Sequence, residues 1–331
     1  MRALALLLVF MSSAAANAET ARPLLTLPIA CDLGKDCFIQ QYVDVLPGEG
    51  VKDYRCGIAS YNDHKGTDFR ILSVNAASAG VPVLASAAGR VKAARDGMDD
   101  RLLATQEDRA LVTGRECGNG VVIEHGGGWE TQYCHLQRGS LMARKGQTVD
   151  AGTPLGLVGY SGRAQFPHVH LSVRLNGQIV DPFLGEPIGG ACQEADHSLA
   201  SSLWSPDLHA QLAYRDAVII ETGFAPGPVT TRDGEAGGIA APQADSASLV
   251  FFARFINLRQ GDRLRLKVEG PGNFNVANET KPLDRKKAHF VAFAGKKRRA
   301  ERWASGLYRG QAEVIRGDAP IGQAQSTLEL Q

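Results

Sequence analysis

Pro167-His168-Val169-His170-Leu171-Ser172-Val173-Arg174-Leu175-Asn176-Gly177 reads as a β-strand running into a hairpin. β-Branched and apolar residues fill it from Val169 to Leu175, and Asn176-Gly177 is the dipeptide that suits a tight turn. Successive side chains on a strand point to opposite faces, so His168 and His170 share one face and reach one site. Upstream, Asp68-Phe69-Arg70-Ile71-Leu72 reads as a second strand, entered from a loop. His64 and Asp68 stand four apart, but Gly66 between them argues against a helix, and no H-E-x-x-H motif occurs in the chain.

His64-Lys65-Gly66-Thr67-Asp68, Tyr133-Cys134-His135-Leu136 and Pro167-His168-Val169-His170-Leu171 together supply four histidines and one aspartate. Imidazole and carboxylate are the donors of tetrahedral zinc sites, and three protein ligands leave a fourth position for a reactive water. Each histidine alone reads as a surface or hydrogen-bonded core residue. Together they read as the site of a zinc hydrolase.

The text between these motifs is also patterned. Gly80-Val81-Pro82-Val83-Leu84-Ala85-Ser86-Ala87-Ala88-Gly89-Arg90-Val91, Gly118-Asn119-Gly120-Val121-Val122-Ile123-Glu124-His125-Gly126-Gly127-Gly128-Trp129 and the glycine-punctuated run from Gly146 to Gly162 lie in order between the histidine motifs. Over about residues 55–185 the chain resembles the lysostaphin-like (M23) zinc metallopeptidases that cut peptidoglycan peptides. The shared signatures are H-x-x-x-D, Y-x-H-L and H-x-H. The resemblance implies one zinc held by His64, Asp68 and His170, with His135 and His168 as catalytic histidines. Chemistry agrees, because an activated water needs a nearby base and neutral histidine titrates close to working pH. His168 is the better candidate for general base, leaving His135 to donate to the oxyanion or to share the proton traffic. Many members read H-L-H where this chain has Val169, which points away from the site. Cys134 stands where a small residue is usual, and alternation sends it to the face opposite His135. In some relatives an upstream segment covers the groove, a role for which Asp32 or Asp36 is a candidate.

Arg2, the apolar run Ala3 to Phe10 and the small residues ending in Ala16-Asn17-Ala18 form a secretory signal peptide with an A-x-A cleavage site. The run is too short for a spanning helix, so a periplasmic or secreted protein is expected, with no stable membrane insertion after cleavage. Six cysteines in an exported chain read as disulfides. Cys31 and Cys37 suit a local bridge, Cys117 and Cys134 flank a hairpin turning near His125-Gly126-Gly127-Gly128, and Cys56 and Cys192 remain. A cysteine zinc site would need C-x-x-C pairs that are absent.

The chain carries 36 basic and 35 acidic residues for a net charge of +1, which gives no sign of a nucleic-acid partner. Lys296-Lys297-Arg298-Arg299, with Arg285-Lys286-Lys287 nearby, reads first as a solvated loop face and second as a contact for an anionic envelope polymer. After Cys192 the composition shifts. Asp216 to Glu221, Ser248 to Phe255, Asp262 to Val268, Ala288 to Phe293 and Gly310 to Ile315 read as strands at sandwich-like spacing. Leu264, Leu266 and Val268 alternate with Arg263, Arg265 and Lys267, a strand with one wet face. The segment Thr231 to Asp245, rich in Gly, Ala and Pro, reads as a loop or flexible insertion. His125, His209 and His289 read as structural, while Tyr160 and Arg163 are candidates to line the groove.

The expected protein is mainly β: an antiparallel-sheet lysostaphin-like domain with an open groove, then an immunoglobulin-like or jelly-roll β-sandwich. Its expected divisions are a signal peptide (1–18), an N-terminal wrapping segment (19–54), the M23-like zinc peptidase domain (55–192), a linker (193–206) and the sandwich (207–331). The leading function is a zinc endopeptidase cutting peptide cross-links of peptidoglycan. The alternatives are an inactive relative that activates a cell-wall amidase, and a zinc protease acting on envelope proteins. Inactive members typically lose ligands or catalytic histidines, whereas this chain keeps all five.

Overall fold

The structure is a computed structural model that describes residues 22–189 and 199–331. The signal peptide, most of the expected linker's first half and Cys192 lie outside the described residues. No helix among the described residues is long and apolar enough to cross a membrane.

The first unit is built on a nine-stranded sheet. Its main path runs Cys37–Gln41, Thr67–Ile71, His168–Leu175, Trp129–Leu136, Asn119–Gly126, Gly89–Arg95, Thr148–Val149, each antiparallel to its neighbour. The strand His168–Leu175 turns into Gln178–Asp181 through Asn176 (φ 51°) and Gly177 (φ 82°). Both are left-handed, which is why Asn-Gly rather than a bulky pair ends this strand. Val169, Leu171 and Val173 are buried with Phe69, Val121 and Tyr133 in the core on one face. Each such side chain contributes on the order of 2 kcal/mol by leaving water. The alternate positions of the same strands are free to carry polar groups on the other face, and that face holds the histidines.

The upstream segment is part of the sheet. Cys37–Gln41 pairs with Thr67–Ile71, and the Cys31–Cys37 disulfide (Cα–Cα 6.1 Å) closes the turn before it. Asp32 and Asp36 therefore sit in an exposed turn, where the Asp36 carboxylate accepts the Asp32 N–H at 2.8 Å. The expectation that one of them covers the groove is corrected: strand pairing holds the segment at the sheet edge, and its Gln41 reaches the groove instead. Leu203, Trp204 and Leu212 pack into this same first core, with Trp204 against Phe69 and Phe183.

The second unit is a β-sandwich. One sheet has the order Val218–Ala225, Ser248–Leu258, Lys287–Lys297, and the other Phe274–Glu279, Arg263–Gly270, Gly306–Arg316, Ala319–Leu330. Phe251, Phe255, Leu264, Leu266, Val268, Tyr308 and Val314 fill the space between them. The Arg263 and Arg265 side of its strand faces Glu279 at 2.8 and 2.7 Å, as one wet face requires.

The expected loop at Thr231 to Asp245 begins instead as a short helix, Thr231–Ala236. Thr230 and Asp233 form a capping box, each side chain bonding the other's backbone N–H, and this offsets the poor helix propensity of Gly234. The helix presents Glu235 to a charge cluster between the two units. Glu235 meets Arg70 of the first unit (2.9 Å) and Arg254 (3.2 Å) and His289 (2.8 Å) of the second. Arg254 also donates to the Leu72 carbonyl at 2.8 Å, and the Asn257 amide donates to the Gln40 carbonyl at 2.8 Å. Phe38, Ile220 and Ile256 supply an apolar patch beside these bonds. The sandwich is thereby fixed against the strand that carries Asp68.

Candidate metal centre

Three strands bring the histidine motifs together. Asp68 lies directly across from His170, and His170 across from Cys134, so Thr67–Ile71 and Trp129–Leu136 flank His168–Leu175. His64 enters from the loop before Thr67, where Gly66 passes so close to the His170 ring that a Cβ there would lie 2.4 Å from Nε2. A side chain at Gly66 would push the two histidines apart.

The donor atoms converge on one point. His64 Nε2 is 3.2 Å from Asp68 Oδ1 and 3.1 Å from His170 Nδ1, and His170 Nδ1 is 2.8 Å from Asp68 Oδ1. All three groups can offer one ligand atom within 4.8 Å of one another. The far nitrogen of each imidazole is already engaged. His64 Nδ1–H donates to the Tyr42 carbonyl at 2.7 Å, and His170 Nε2 bonds the Ser172 hydroxyl at 3.0 Å. Such bonds fix the ring orientation and leave the inward lone pair available to a cation. Two imidazoles and a carboxylate in this arrangement fit a zinc ion by donor type and number.

His135 and His168 stand beside this triad with ring centroids 4.6 Å apart. His168 Nδ1–H donates to the Phe166 carbonyl at 2.8 Å, which leaves Nε2 3.6 Å from Asp68 Oδ1. His135 Nδ1–H donates to the Ser161 carbonyl at 2.7 Å. The Ser161 hydroxyl in turn donates to the Leu136 carbonyl at 2.7 Å and accepts the Asn119 N–H at 3.0 Å. Carbonyls only accept, so both rings keep the proton on Nδ1 and expose the Nε2 lone pair.

Electrostatics separates the groups. Burial pushes the Asp68 carboxyl up, but His64 and His168, with bonds from His170 and His64, hold it well below the usual range. Burial lowers His64, yet the facing Asp68 carboxylate leaves it raised overall. His135 is lowered well below the ordinary histidine value by burial, then by the neighbouring His168 and His170, and His168 is lowered chiefly by burial. Both rings are therefore neutral near pH 7.

His135 has φ of +67°, uncommon for a residue with a Cβ, and it closes the strand Trp129–Leu136. This turn corrects the expectation for Cys134. Cys134 is paired directly across from His170, and residues in that relation share a face. The Cys117–Cys134 disulfide (Cα–Cα 4.8 Å) thus lies on the same face of the sheet as the histidines rather than behind it. Alternation fails here because the left-handed step at His135 breaks the pleat. Cys56 is also disulfide-bonded, while Cys192 lies outside the described residues.

The histidines line a cleft of about 320 Å³ together with Gln41, Tyr61, Asp68, Leu103, Arg109, Arg163, Phe166 and Ala288. Arg109 and Arg163 make no ion pair among the described residues, so the cleft offers two free guanidinium groups. Ala288 belongs to the sandwich, which forms part of the cleft wall. Tyr61 lies 4.4 Å from the His64 ring by centroids and is 44% exposed. Tyr160 is not in the wall; its N–H bonds the Asp100 carboxylate at 2.7 Å. His125 bonds Ala88 and Thr131, and His209 bonds the Trp204 carbonyl, as structural histidines. Sequence reading missed Ser172, although it stands two residues from His170 on the same strand face. The carbonyl contributions of Tyr42 and Ser161 have no side-chain signal to find.

An antiparallel sheet with a His–Asp–His group in an open cleft has the geometry of a metal site. Residues 62–182 match the model described as Peptidase family M23, and this segment is an M23 peptidase domain. The DD-carboxypeptidase/endopeptidase Mpg of Neisseria meningitidis serogroup B is 43% identical over 65 residues, 20% of this chain and 14% of that protein. The peptidoglycan DD-endopeptidase ShyA of Vibrio cholerae is 38% identical over 80 residues, 23% of this chain and 18% of its own length. A solved structure described as a zinc-containing peptidase from Vibrio cholerae is 26% identical, with a TM-score of 0.28 over 44% of this chain and 39% of that one. The chain thus spans 14% to 18% of the length of the two curated relatives.

Proposed function

We propose that this protein is a zinc-dependent endopeptidase that cleaves peptide cross-links of peptidoglycan outside the cytoplasm. In this reading His64, Asp68 and His170 hold one ion, and His135 and His168 are the catalytic histidines. The observation that carries it is the convergence of His64 Nε2, Asp68 Oδ1 and His170 Nδ1 beside two neutral imidazoles in one cleft. When bound, zinc supplies a Lewis acid and lowers the pKa of a coordinated water toward neutrality.

The rest of the chemistry falls to the chain. His168 Nε2 takes one proton from the attacking water, whose oxygen bonds the scissile carbonyl carbon. As the C–N bond breaks, the same Nε2–H returns that proton to the leaving amine. His135 carries no Nε2–H while neutral, because its single proton is spent on Ser161. It therefore shares the proton traffic, and donates to the developing oxyanion only after it has gained a proton. Arg109 and Arg163 suit a peptide bearing free carboxylates, as peptidoglycan stems do.

The two named endopeptidase relatives support the substrate class through this domain alone. The test is digestion of purified peptidoglycan by the parent protein and by His168→Ala and His135→Ala, with the metal content of each measured. Both variants keep the metal and lose about 10²-fold or more in turnover. Cleavage by either at the parent rate contradicts its assigned role.

A further inference from the structure

A second cleft, of about 720 Å³, opens in the sandwich, away from the histidines. One partly exposed ring, Trp303, lines it, backed by the buried Phe274 and Tyr308. Phe274 packs edge-on against Trp303 (5.7 Å) and Tyr308 (5.3 Å), and the Lys296 ammonium sits 5.2 Å from the Phe274 ring centre. The rings are fixed in place: the Trp303 indole N–H donates to the Ser246 carbonyl at 2.9 Å, and the Tyr308 hydroxyl donates to the Ala304 carbonyl at 2.9 Å. The rim is cationic. Lys296, Lys297, Arg299 and Arg302 line it with no ion pair among the described residues, and no acidic side chain lines the cleft. Arg298 differs, since its guanidinium is spent on the Ser246, Ala300 and Glu301 carbonyls and shapes the loop itself.

A fixed aromatic face ringed by unpaired cations suits a ligand that offers apolar C–H surface and negative charge together. The cleft's position narrows the choice. The strand Lys287–Lys297 has Ala288 in the wall of the catalytic cleft and Lys296 and Lys297 in this one. At about 3.3 Å per residue, the eight steps from Ala288 to Lys296 span roughly 26 Å. A ligand that occupies both clefts must be a polymer.

We infer that this cleft binds an anionic glycan: carboxylate-bearing peptidoglycan strands, the same polymer whose cross-link enters the histidine cleft. The sugar rings lie on Trp303 and the carboxylates meet Lys297, Arg299 and Arg302. Holding the polymer at this second point raises the local concentration of cross-links at the first. The inference rests on the function proposed above for its choice of polymer, but its test does not depend on turnover.

The experiment is co-sedimentation of the full chain with purified insoluble peptidoglycan, in a His168→Ala background so that the polymer stays intact. Trp303→Ala is added in one variant and Lys297→Glu with Arg299→Glu and Arg302→Glu in another. The triple variant changes only exposed groups and so keeps the core should Trp303→Ala fail to fold. We expect each to bind about tenfold or more weakly, and binding by the parent to fall as salt rises. In the otherwise unmodified protein, the triple variant should cleave short soluble peptidoglycan fragments at the parent rate while slowing on whole peptidoglycan. Undiminished binding by the triple variant overturns the inference. Equal competition by duplex DNA also overturns it, because the cleft would then be a general polyanion surface. Loss of binding in the variants of a protein that cuts no peptidoglycan would leave this inference standing and remove the catalytic reading alone.

Discussion

Replacing Glu235 by glutamine keeps the shape of the side chain and removes the one charge that faces Arg70, Arg254 and His289 together. Both arginines are fully buried, so their charges have little recourse to water. Burial alone would push the Glu235 carboxyl up, but Arg70 foremost, with His289 and Arg254, holds it at about 2 against an ordinary 4.5. At about 1.4 kcal/mol per pKa unit the gap is worth about 3 kcal/mol. That agrees with the ~3–5 kcal/mol lost when one partner of a buried pair is removed. The sign follows from the lowered value. The contribution is complete above the unfolded-state pKa near 4.5 and disappears as pH falls toward 2. Urea denaturation of parent and variant should therefore differ by about 3 kcal/mol near neutral pH, and the difference should shrink through this acid window. A difference below about 1 kcal/mol at neutral pH, or one that persists unchanged into acid, would refute the claim that this carboxylate locks the two units.

Ser172→Ala removes the hydroxyl that orients His170, and should weaken zinc affinity by about 10- to 100-fold without unfolding the sheet; competition against a chelator reads the change. Reduction of Cys117–Cys134 should cost about 2–4 kcal/mol of stability and, because this bridge lies on the histidine face, depress activity as well; unchanged turnover in the reduced protein would remove it from the site's support. Arg163→Glu should raise KM for carboxylate-bearing peptides by about tenfold with kcat little altered, and an unchanged KM would deny Arg163 a part in substrate recognition.

Much of this site could be read before any coordinates. The H-x-H alternation placed His168 and His170 on one face, and Gly66 argued against a helix between His64 and Asp68; both hold in the strands and the loop. The Cys117–Cys134 pairing across the hairpin was equally legible, because near-symmetric placement about a glycine turn is a local property. Its facing was not, because a single left-handed residue at His135 breaks the period on which that reading depends. The helix bearing Glu235 was hidden for a different reason. Gly, Ala and Pro dominate the composition there, and Thr230 with Asp233 carries the only local helix signal. The partners that make Glu235 matter lie far from it in sequence, Arg70 being 165 residues away. The cationic rim of the sandwich cleft was legible, because Lys296-Lys297-Arg298-Arg299 and Trp303 lie in one stretch, whereas Phe274, which backs Trp303, comes from another strand.

Endopeptidase action reads out in the composition of cross-linked fragments after purified peptidoglycan is incubated with the zinc-loaded protein. Cross-linked dimers should disappear and monomers accumulate, and chelation or His64→Ala should stop the conversion. Dimers that persist alongside a fully zinc-loaded, folded protein would contradict the endopeptidase reading.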